Sequence, residues 1–341
     1  MTRSVDPESR KLRACVSVRI AASVVLALLF IPAAVFANAD GAGGGGVSTA
    51  AEAGGVKDPG GRMKVIIDAD PAIGEPFKDV DDGLMLIMAL NSPKLDILGI
   101  TTTFGNASQE VSYRKARELV ELTGRTDVPV FRGANKGDPA GAVTDASRFI
   151  VDMARQYPGE VTVLAVGPVT NVATALRTAP ETASMLKQVI SMGGNVSAAN
   201  VANTQCWSDL NYGSDEEAAG VFLETMEQLT VISIQLSERF YISPQRYERL
   251  ITETAYADYF RENTRMWYWL RSRAFIVWDL VALAALVYPE WFEARPVSID
   301  YVSTMATGPK LRPALGDSYI VNIPTFRGDK TYFWNWVFSR L

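Results

Sequence analysis

Short apolar runs alternate with stretches of helical pattern along the chain from about residue 64 onward. Short apolar runs predict buried strands, and the stretches between them, with apolar positions at helical spacing, predict amphipathic helices. The predicted strands are Lys64–Asp70, Ile97–Phe104, Val128–Phe131, Val161–Val166, Gln188–Met192 and Thr230–Gln235. One such helical stretch is EVSYRKARELVELTG, which ends at Gly124. This alternation predicts an α/β fold of the Rossmann-like kind, with a mostly parallel central sheet and helices on both faces.

From Ser237 onward the pattern becomes helical and aromatic, as in RMWYWLRSRAFIVWDLVALAALVYPEWF. Asp279 interrupts this apolar run. One interpretation is that Asp279 caps a helix over Leu280–Val287, because Asp is a preferred residue at the N-cap. The alternative is a functional role for its carboxylate.

Polar and glycine residues directly follow several of the predicted strands. They are Asp68 and Asp70 after the first strand, Asn106 after the second, Gly167, Thr170 and Asn171 after the fourth, and Asn195 after the fifth. Ligands of parallel α/β sheets bind at the carboxyl ends of the strands. We therefore expect a polar pocket at this edge of the sheet.

The N-terminal 39 residues have the pattern of a targeting segment. Five basic residues precede or begin the apolar stretch IAASVVLALLFIPAAVFA, and Ala37-Asn38-Ala39 fits a cleavage site. We predict a signal peptide over 1–39, a Gly/Ala-rich flexible leader over 40–61 and a single catalytic domain over 62–341. The protein is then secreted or periplasmic, without stable membrane insertion after cleavage. The alternative is an uncleaved membrane anchor.

The composition narrows the possible partners and chemistry. The 341 residues include 33 Lys and Arg, 38 Asp and Glu, two Cys and no His. The excess of acid argues against a nucleic acid partner, since phosphate backbones require basic patches. Cys15 lies in the predicted signal peptide, which leaves Cys206 alone and excludes an internal disulfide in the predicted mature chain. No step of any mechanism can use an imidazole.

A second group of acids, Asp79, Asp81 and Asp82, precedes the apolar run GLMLIMAL. One interpretation is that they favour the N-terminus of a helix through its dipole. The other is that they join Asp70 in a site for a hard divalent cation, because carboxylates confined together repel one another unless they are neutralised. Calcium takes six to eight oxygen ligands, whereas the lack of His argues against zinc or copper.

The chain resembles the inosine–uridine-type nucleoside hydrolases at several places, in order, from about residue 64 to its end. DADPAIGEPFKDVDD is similar to the family's D-x-D-P-G-x-D-D, with Ala72 in place of Gly and an insertion before the last pair. GITTTFGNAS, VTVLAVGPVTNVATAL and ISMGGNV resemble the TT-x-x-GN, G-P-L-T-N and M-G-G segments. DLNYGSDEEAAGVF resembles E-F-N followed by D-P-E-A-A, with Asp209 replacing Glu. VWDLVALAALVYPEWF resembles H-D-x-x-A-x-A, with Trp278 replacing His.

The resemblance implies the nucleoside hydrolase fold, a Ca2+ cofactor and a set of site residues. The implied metal ligands are Asp70, Asp82, Asp279 and the backbone carbonyl of Val166. The implied catalytic residues are Asp70, as general base for a calcium-bound water, together with Asp81 and Asn211. The implied substrate ligands are Asn106, Asn203, Asp209, Asn211, Trp278 and Asp279. Asp81 is expected at the ribose 2′-hydroxyl, and Asp79 is the reserve candidate for a role of Asp81 or Asp82.

The implied activity is hydrolysis of the N-glycosidic bond of a ribonucleoside or a related N-ribosyl compound, which gives ribose and the free base. The small-molecule nucleoside or ribosyl substrate is the expected partner, and the resemblance also implies a possible homo-oligomer, a dimer or a tetramer. Because no His is present to protonate the departing base, we expect an aromatic residue to stack on it. The candidates are Trp278, Trp207, Trp267, Tyr268 and Trp269, with ordinary packing as the alternative for each.

Two other functions fit parts of the sequence. An exported nucleoside- or sugar-binding relative without turnover would keep the pocket and tolerate the insertion, Ala72 and Trp278. A phosphatase of the haloacid dehalogenase type would use Asp68 as nucleophile with magnesium, but no convincing Lys follows a later strand.

Overall fold

The computed structural model describes residues 61–138, 141–196, 209–302, 310–313 and 319–341. The predicted signal peptide, the predicted leader up to residue 60, and the candidates Asn203, Cys206 and Trp207 lie outside these residues. Met63–Leu341 forms one compact unit. Of the helices in the described ranges, none combines the length and the apolar character needed to span a bilayer.

Strands and helices alternate through the first two thirds of this unit. The strands are β1 (Met63–Ala69), β2 (Leu95–Thr102), β3 (Val130–Arg132), β4 (Thr162–Ala165), β5 (Gln188–Met192), β6 (Asn195–Val196) and β7 (Leu229–Ile232). The helices are α1 (Asp81–Leu90), α2 (Gln109–Leu122), α3 (Asp145–Gln156), α4 (Thr170–Thr178), α5 (Thr182–Met185), α6 (Leu210–Ser214), α7 (Glu216–Thr225) and α8 (Ile234–Ser237).

The last third adds further helices and several strands. The strands are β8 (Tyr241–Ile242), β9 (Phe275–Ile276), β10 (Phe292–Glu293), β11 (Pro296–Val302), β12 (Lys310–Pro313), β13 (Tyr319–Asn322) and β14 (Thr325–Phe326). The helices are α9 (Pro244–Thr252), α10 (Ala257–Leu270), α11 (Trp278–Val287) and α12 (Lys330–Arg340), and a 3₁₀ turn covers Pro289–Trp291.

The described strands form a ten-stranded sheet in the order β3-β2-β1-β4-β5-β7-β13-β11-β12-β6. The pairs from β3 to β7, and β7 with β13, are parallel. β11 runs antiparallel to both of its neighbours. The prediction of a mostly parallel sheet is confirmed. β1 is the third of the ten strands and pairs with β2 and β4, so its carboxyl end has a neighbouring strand on each side.

Helices cover both faces, as predicted, because β1 is apolar on both sides. Val65 and Ile67 are fully buried in a core that includes α1, α11 and α12. Ile66 is fully buried in a second core, with α3, α4 and α7. Both faces of β1 therefore exclude water, and a polar residue at its end can reach solvent only through the sheet edge.

The predicted strand over 188–192 matches β5, and the bounds of the strands before it differ by a few residues. The prediction Thr230–Gln235 is wrong at its end, because Ser233 caps α8 by accepting a hydrogen bond from the Leu236 amide at 3.3 Å. The strands β11, β12 and β13 were not predicted from the aromatic C-terminal pattern. Gly124 follows α2 with a φ of +70°, as expected for a glycine that ends a helix.

Candidate functional site

A cavity of about 180 Å³ opens at the carboxyl ends of β1, β4 and β5. Eleven of the residues singled out from the sequence line it: Asp70, Asp79, Asp81, Asp82, Asn106, Val166, Asp209, Asn211, Trp267, Trp278 and Asp279. The other lining residues are Met192, Leu210, Ile234 and Arg271. The sheet edge thus brings together side chains that are more than 200 residues apart in the chain.

Asp70 is held at the end of β1 by close backbone neighbours. The Asn106 amide donates to Asp70 Oδ2 at 2.5 Å, and the Asp70 amide donates to Asp82 Oδ1 at 3.2 Å. A Cβ atom at Gly105, where φ is +152°, would lie 2.0 Å from Asp70 Oδ2, and one at Gly167 would lie 2.9 Å from Oδ1. Both positions require glycine because the backbone passes so close to the carboxylate.

The loop before α1 is fixed by Asn106. Its side-chain oxygen accepts from the Asp79 amide at 3.1 Å, and its side-chain nitrogen donates to the Asp79 carbonyl at 2.9 Å. The Asp79 carboxylate in turn accepts from the amides of Val80 and Asp81. The Asn106 side chain therefore uses these two hydrogen bonds to hold the loop that leads to Asp81 and Asp82.

Asp81, Asp82 and Asp279 form the tightest group of acids among the described residues. One carboxylate oxygen from each lies within 4.8 Å of the other two, and all three side chains are buried. Asp81 and Asp82 are in the first turn of α1, and the Asp279 amide donates to Asp81 Oδ2 at 3.1 Å. Asp81 and Asp82 therefore fit both interpretations, because they lie at the N-terminus of α1 and also belong to the acidic cluster.

The N-cap interpretation of Asp279 is wrong. α11 begins at Trp278 with Val277 as its N-cap, and no side chain caps it. Asp279 lies in the first helical turn instead, so its carboxylate points into the cavity and not at its own backbone. The functional interpretation is the one that its position supports.

Burial raises the pKa values of the clustered acids. It raises those of Asp81, Asp82 and Asp279 well above the ordinary range, and repulsion from the neighbouring aspartates, including Asp70 and Asp79, adds to the effect. Burial also raises the pKa of Asp70 to about 7, although the hydrogen bond from the Asn106 amide opposes it. These four carboxylates can bind protons or a cation, but they cannot all stay ionised without one.

The donor set fits a hard cation. The three clustered acids and Asp70 offer only oxygen and are all buried, and the carbonyl of the lining residue Val166 accepts from the Asn211 side chain. Carboxylate and carbonyl oxygens are the ligands of Ca2+ and Mg2+, whereas zinc sites use His or Cys. The cluster contains Asp81, which was predicted as a sugar ligand, in addition to the predicted ligands Asp82 and Asp279.

Asp209 and Asn211 line the cavity from the start of α6. Asp209 Oδ1 accepts from the amides of Asn211 and Tyr212, and Oδ2 accepts from the Gly194 amide at 2.6 Å. The Asn211 side-chain nitrogen donates to the carbonyls of Val166 at 2.6 Å and Met192 at 3.0 Å. These contacts fix both side chains against the ends of β4 and β5. Burial raises the pKa of Asp209 to about 6 against these three amide donors.

Two of the aromatic candidates in the described ranges line the cavity. Trp278 and Trp267 do so, whereas Trp269 is 66% exposed and Tyr268 stacks on Tyr247 with ring centres 3.6 Å apart. Stacking on a base is therefore possible for two of these residues and is excluded by position for the other two.

Arg271 was missed in the sequence. It is the only Lys or Arg among the described residues that line the cavity, and its charge interacts with that of Asp79. Burial lowers its pKa, but an arginine starts high enough to stay cationic at neutral pH. The one sequence feature that could have indicated Arg271 is its spacing, seven residues before Trp278 and four after Trp267. This spacing becomes informative only once α10 is known to end at Leu270.

Other polar residues at the strand ends serve the fold. Asn171 is fully buried and donates to Asp68 Oδ1 at 2.8 Å and to the Thr102 carbonyl. Thr170 donates to Asp215, and Asn195 accepts from Gln235. Asp68 is fully buried and does not line the cavity, so the phosphatase interpretation, which needs Asp68 as nucleophile, has no support in the structure.

A mostly parallel α/β sheet with a buried carboxylate cavity at its strand ends defines a small-molecule-binding protein with a site suited to a cation. A sequence profile described as "Inosine-uridine preferring nucleoside hydrolase" matches residues 65–314. The chain belongs to this family, which confirms the resemblance seen in its motifs.

Several curated proteins are similar in sequence. A probable uridine nucleosidase 2 of Arabidopsis thaliana is 31% identical over 218 residues, which are 56% of this chain and 65% of that protein. A probable uridine nucleosidase 1 of Oryza sativa is 30% identical over 68% of this chain and 78% of its own length. An inosine-uridine preferring nucleoside hydrolase of Crithidia fasciculata is 25% identical over 72% and 86%. The chain spans 59–66% of the length of three of the curated relatives that it matches.

Solved structures share the fold. A plant nucleoside hydrolase superposes with a TM-score of 0.68 at 23% identity, over 82% of this chain and 99% of that chain. A purine-preferring ribonucleoside hydrolase from Gardnerella vaginalis gives the same TM-score at 22% identity, over 82% and 98%. The predicted fold class is thereby confirmed.

Proposed function

We propose that this protein hydrolyses the N-glycosidic bond of ribonucleosides, or of a related N-ribosyl compound, to give ribose and the free base. The observation that carries the proposal is the single cavity in which buried aspartates from three separate segments meet at the end of β1. Relatives named as uridine nucleosidases and as an inosine-uridine preferring nucleoside hydrolase support the same reaction.

The cation in this proposal is Ca2+, held by Asp70, Asp82, Asp279 and the Val166 carbonyl, with Asp81 beside them in the acidic cluster. When bound, such an ion acts as a Lewis acid that orients ribose hydroxyls and increases the acidity of water. The oxygen-only donor set supports calcium over zinc or copper. Which metal binds is part of the proposal and not of the geometry.

Asp70 is the general base in this proposal. It lines the cavity and is fixed by the Asn106 amide, so that its carboxylate keeps one position while it accepts a proton from the attacking water. The surrounding acids stabilise the positive charge that develops on the sugar ring as the bond to the base breaks. These carboxylates activate the attacking water and stabilise the positive charge on the sugar without an imidazole.

The sugar is bound by oxygen acceptors in this proposal. Asp81 accepts from the 2′-hydroxyl, and Asp209 and Asn211 hold further hydroxyls. Asp209 and Asn211 are already fixed by backbone contacts at β4, β5 and α6, so they lose little freedom when the sugar binds. Asn203 and Asn106 are the remaining candidates. Asn106 contributes mainly by holding the loop before α1.

Export and assembly complete the proposal. We propose that the N-terminal segment directs the protein to the periplasm or out of the cell, and that the folded domain forms a dimer or tetramer. Fractionation of cells that express the full chain, followed by light scattering of the purified protein, tests both points.

Release of reducing sugar from a panel of ribonucleosides, with calcium and with chelator, tests the activity. Sugar release that depends on the cation and is lost in Asp70→Asn is expected. Asp152→Asn, which removes an exposed acid on α3, is the matched control and should keep full activity. Calorimetric binding of nucleosides without any sugar release would contradict the proposal and favour the binding relative.

A further inference from the structure

Arg271 and Trp267 form a fixed pair on one wall of the cavity. They are four residues apart at the end of α10, and the Arg271 amide donates to the Trp267 carbonyl at 2.9 Å. The guanidinium carbon lies 5.4 Å from the centre of the Trp267 ring, within the range of a cation–π contact. Both side chains line the cavity that holds the acids.

Trp267 also carries a buried hydrogen-bond donor without an acceptor. Its Nε1–H is inaccessible to solvent and has no partner in the part of the chain that the structure describes. Buried indole N–H groups usually find a partner, and one left unpaired at a cavity wall is a candidate for ligand binding. A ligand in the cavity can supply the acceptor once the Trp267 side chain, which lines the cavity, turns its N–H toward it.

We propose that Arg271 and the Trp267 Nε1–H together bind a carbonyl oxygen of the departing base and stabilise the negative charge that the base carries away. This inference rests on the proposed nucleosidase function and assigns the step for which the chain has no histidine. Donors aimed at developing negative charge, in a site that excludes water, are among the strongest contributors to catalysis.

The reaction needs no general acid to protonate the base before it leaves. The bond between C1′ and the base nitrogen breaks, and its electron pair leaves with the base as an anion. The water oxygen forms the new bond to C1′, and its proton passes to Asp70. The base anion takes up a proton from solvent after release and Asp70 returns its proton to solvent, which gives ribose, neutral base and the original carboxylate. Arg271 donates hydrogen bonds and not a proton, because arginine stays charged in proteins.

The substrate class follows from the donors. A base with a ring carbonyl, such as uracil or hypoxanthine, offers an acceptor to both groups. Adenine carries an amino group and no carbonyl oxygen, so it presents hydrogens to a cationic donor and leaves the pair unsatisfied. Sites built to bind one polar group strongly reject an analogue that lacks it. We therefore expect inosine to be preferred to adenosine, which has an amino group in place of the 6-carbonyl and no proton on N1.

The experiment compares three variants of the full chain on three substrates. Arg271→Ala removes the charge, and Trp267→Phe removes the N–H but keeps an aromatic ring. Arg265→Ala is the matched control, because Arg265 is an exposed arginine on the same helix, outside the cavity lining. The substrates are inosine, adenosine and p-nitrophenyl riboside, whose nitrophenolate leaves without assistance. kcat and KM are measured separately for each.

For inosine, kcat should fall about 100-fold in Arg271→Ala, the effect of removing one strong donor to developing charge. It should fall about tenfold in Trp267→Phe, as expected for one neutral hydrogen bond. The loss on p-nitrophenyl riboside should be about threefold or less, because that group needs no stabilisation. The preference for inosine over adenosine should collapse in Arg271→Ala and stay unchanged in Arg265→Ala.

An equal loss on all three substrates would overturn the inference, since it would show that Arg271 only balances the charge of Asp79 or maintains the fold. Unchanged kcat for inosine in both variants would overturn it as well. A wild-type protein that releases no sugar from any of the three substrates would instead refute the proposed function before any variant is compared, and the inference would fall with it.

Discussion

Removing the divalent cation should leave a cluster of acids that cannot all stay ionised. One carboxylate oxygen from each of Asp81, Asp82 and Asp279 lies within 4.8 Å of the other two. At an effective dielectric constant of about 20, each ionised pair at that distance repels by roughly 3.5 kcal/mol, and the three pairs by about 10 kcal/mol. That sum is as large as the net stability of a typical domain. The cation-free protein must therefore take up protons.

The direction of the pH dependence follows from the raised pKa values. Burial raises the pKa of each of the three acids above that of the unfolded chain. Over the range between the two values the folded state binds more protons than the unfolded state, so stability falls as pH rises. In chelator, the protein should be most stable near pH 4 to 5 and lose stability as the pH rises through neutrality. A bound cation replaces the protons and removes most of this loss.

Thermal unfolding of the full chain between pH 5 and pH 8, in chelator and in calcium, measures the effect. Calcium at about 100 times its Kd should add about 2.7 kcal/mol, from mass action alone. This corresponds to a rise in Tm of about 5 °C at pH 8 and less at pH 5. Calorimetry in two buffers with different ionisation enthalpies should show protons released when calcium binds at pH 7.

Asp279→Asn and Asp152→Asn are the variants to compare. Asp279→Asn should weaken both the calcium effect and the pH slope in chelator, because it removes one charge from the cluster. Asp152→Asn removes an exposed acid and should behave as the wild type. A Tm that does not respond to chelator, together with no proton release, would refute the cation site.

Three further predictions concern single residues. Trp278→His places an imidazole in the cavity lining and should raise kcat/KM for purine nucleosides at least about tenfold, through general acid catalysis; an unchanged pH–rate profile would show that Trp278 does not face the base. Phe77 is 65% exposed at a φ of +63°, so Phe77→Asn should raise Tm by about 1–3 °C, whereas Phe77→Ala, which keeps the strained conformation, should not. Burial raises the pKa of Asp68 to about 6, so Asp68→Asn should stabilise the protein in chelator at pH 8 but not at pH 4; equal effects at both pH values in denaturant titrations would contradict it.

The fold class was predictable because its signals are local. Short apolar runs and helical spacings report which elements are buried, and they placed β5 at its observed bounds and the earlier strands within a few residues. Prediction failed where another local preference took over, as at Ser233, whose side chain caps α8 and ends the strand. It also failed for β11 to β13, which follow the aromatic run and were included in the general expectation of helices from Ser237 onward.

Much of the candidate site was predictable for a related reason. Parallel strands bring their carboxyl ends to one edge, so Asp70 and Asn106 were expected to line one pocket. The motifs extended the list to Asp209 and Trp278, and all four line the cavity. The same rule overpredicted Asn171, because strand order alone does not tell which polar residue at a strand end turns inward to hold the backbone.

The sequence by itself determined the order of strands and helices, the acids at the end of the first strand and the motifs of the family. Only the tertiary structure decided which acids share one space, since Asp279 meets Asp81 across 198 positions of the chain. It also decided that Asn106 holds the loop before α1 and that Arg271 enters the acidic cavity. Local patterns report the environment of a residue's own element, whereas the direction of a side chain is set by how distant elements pack against it.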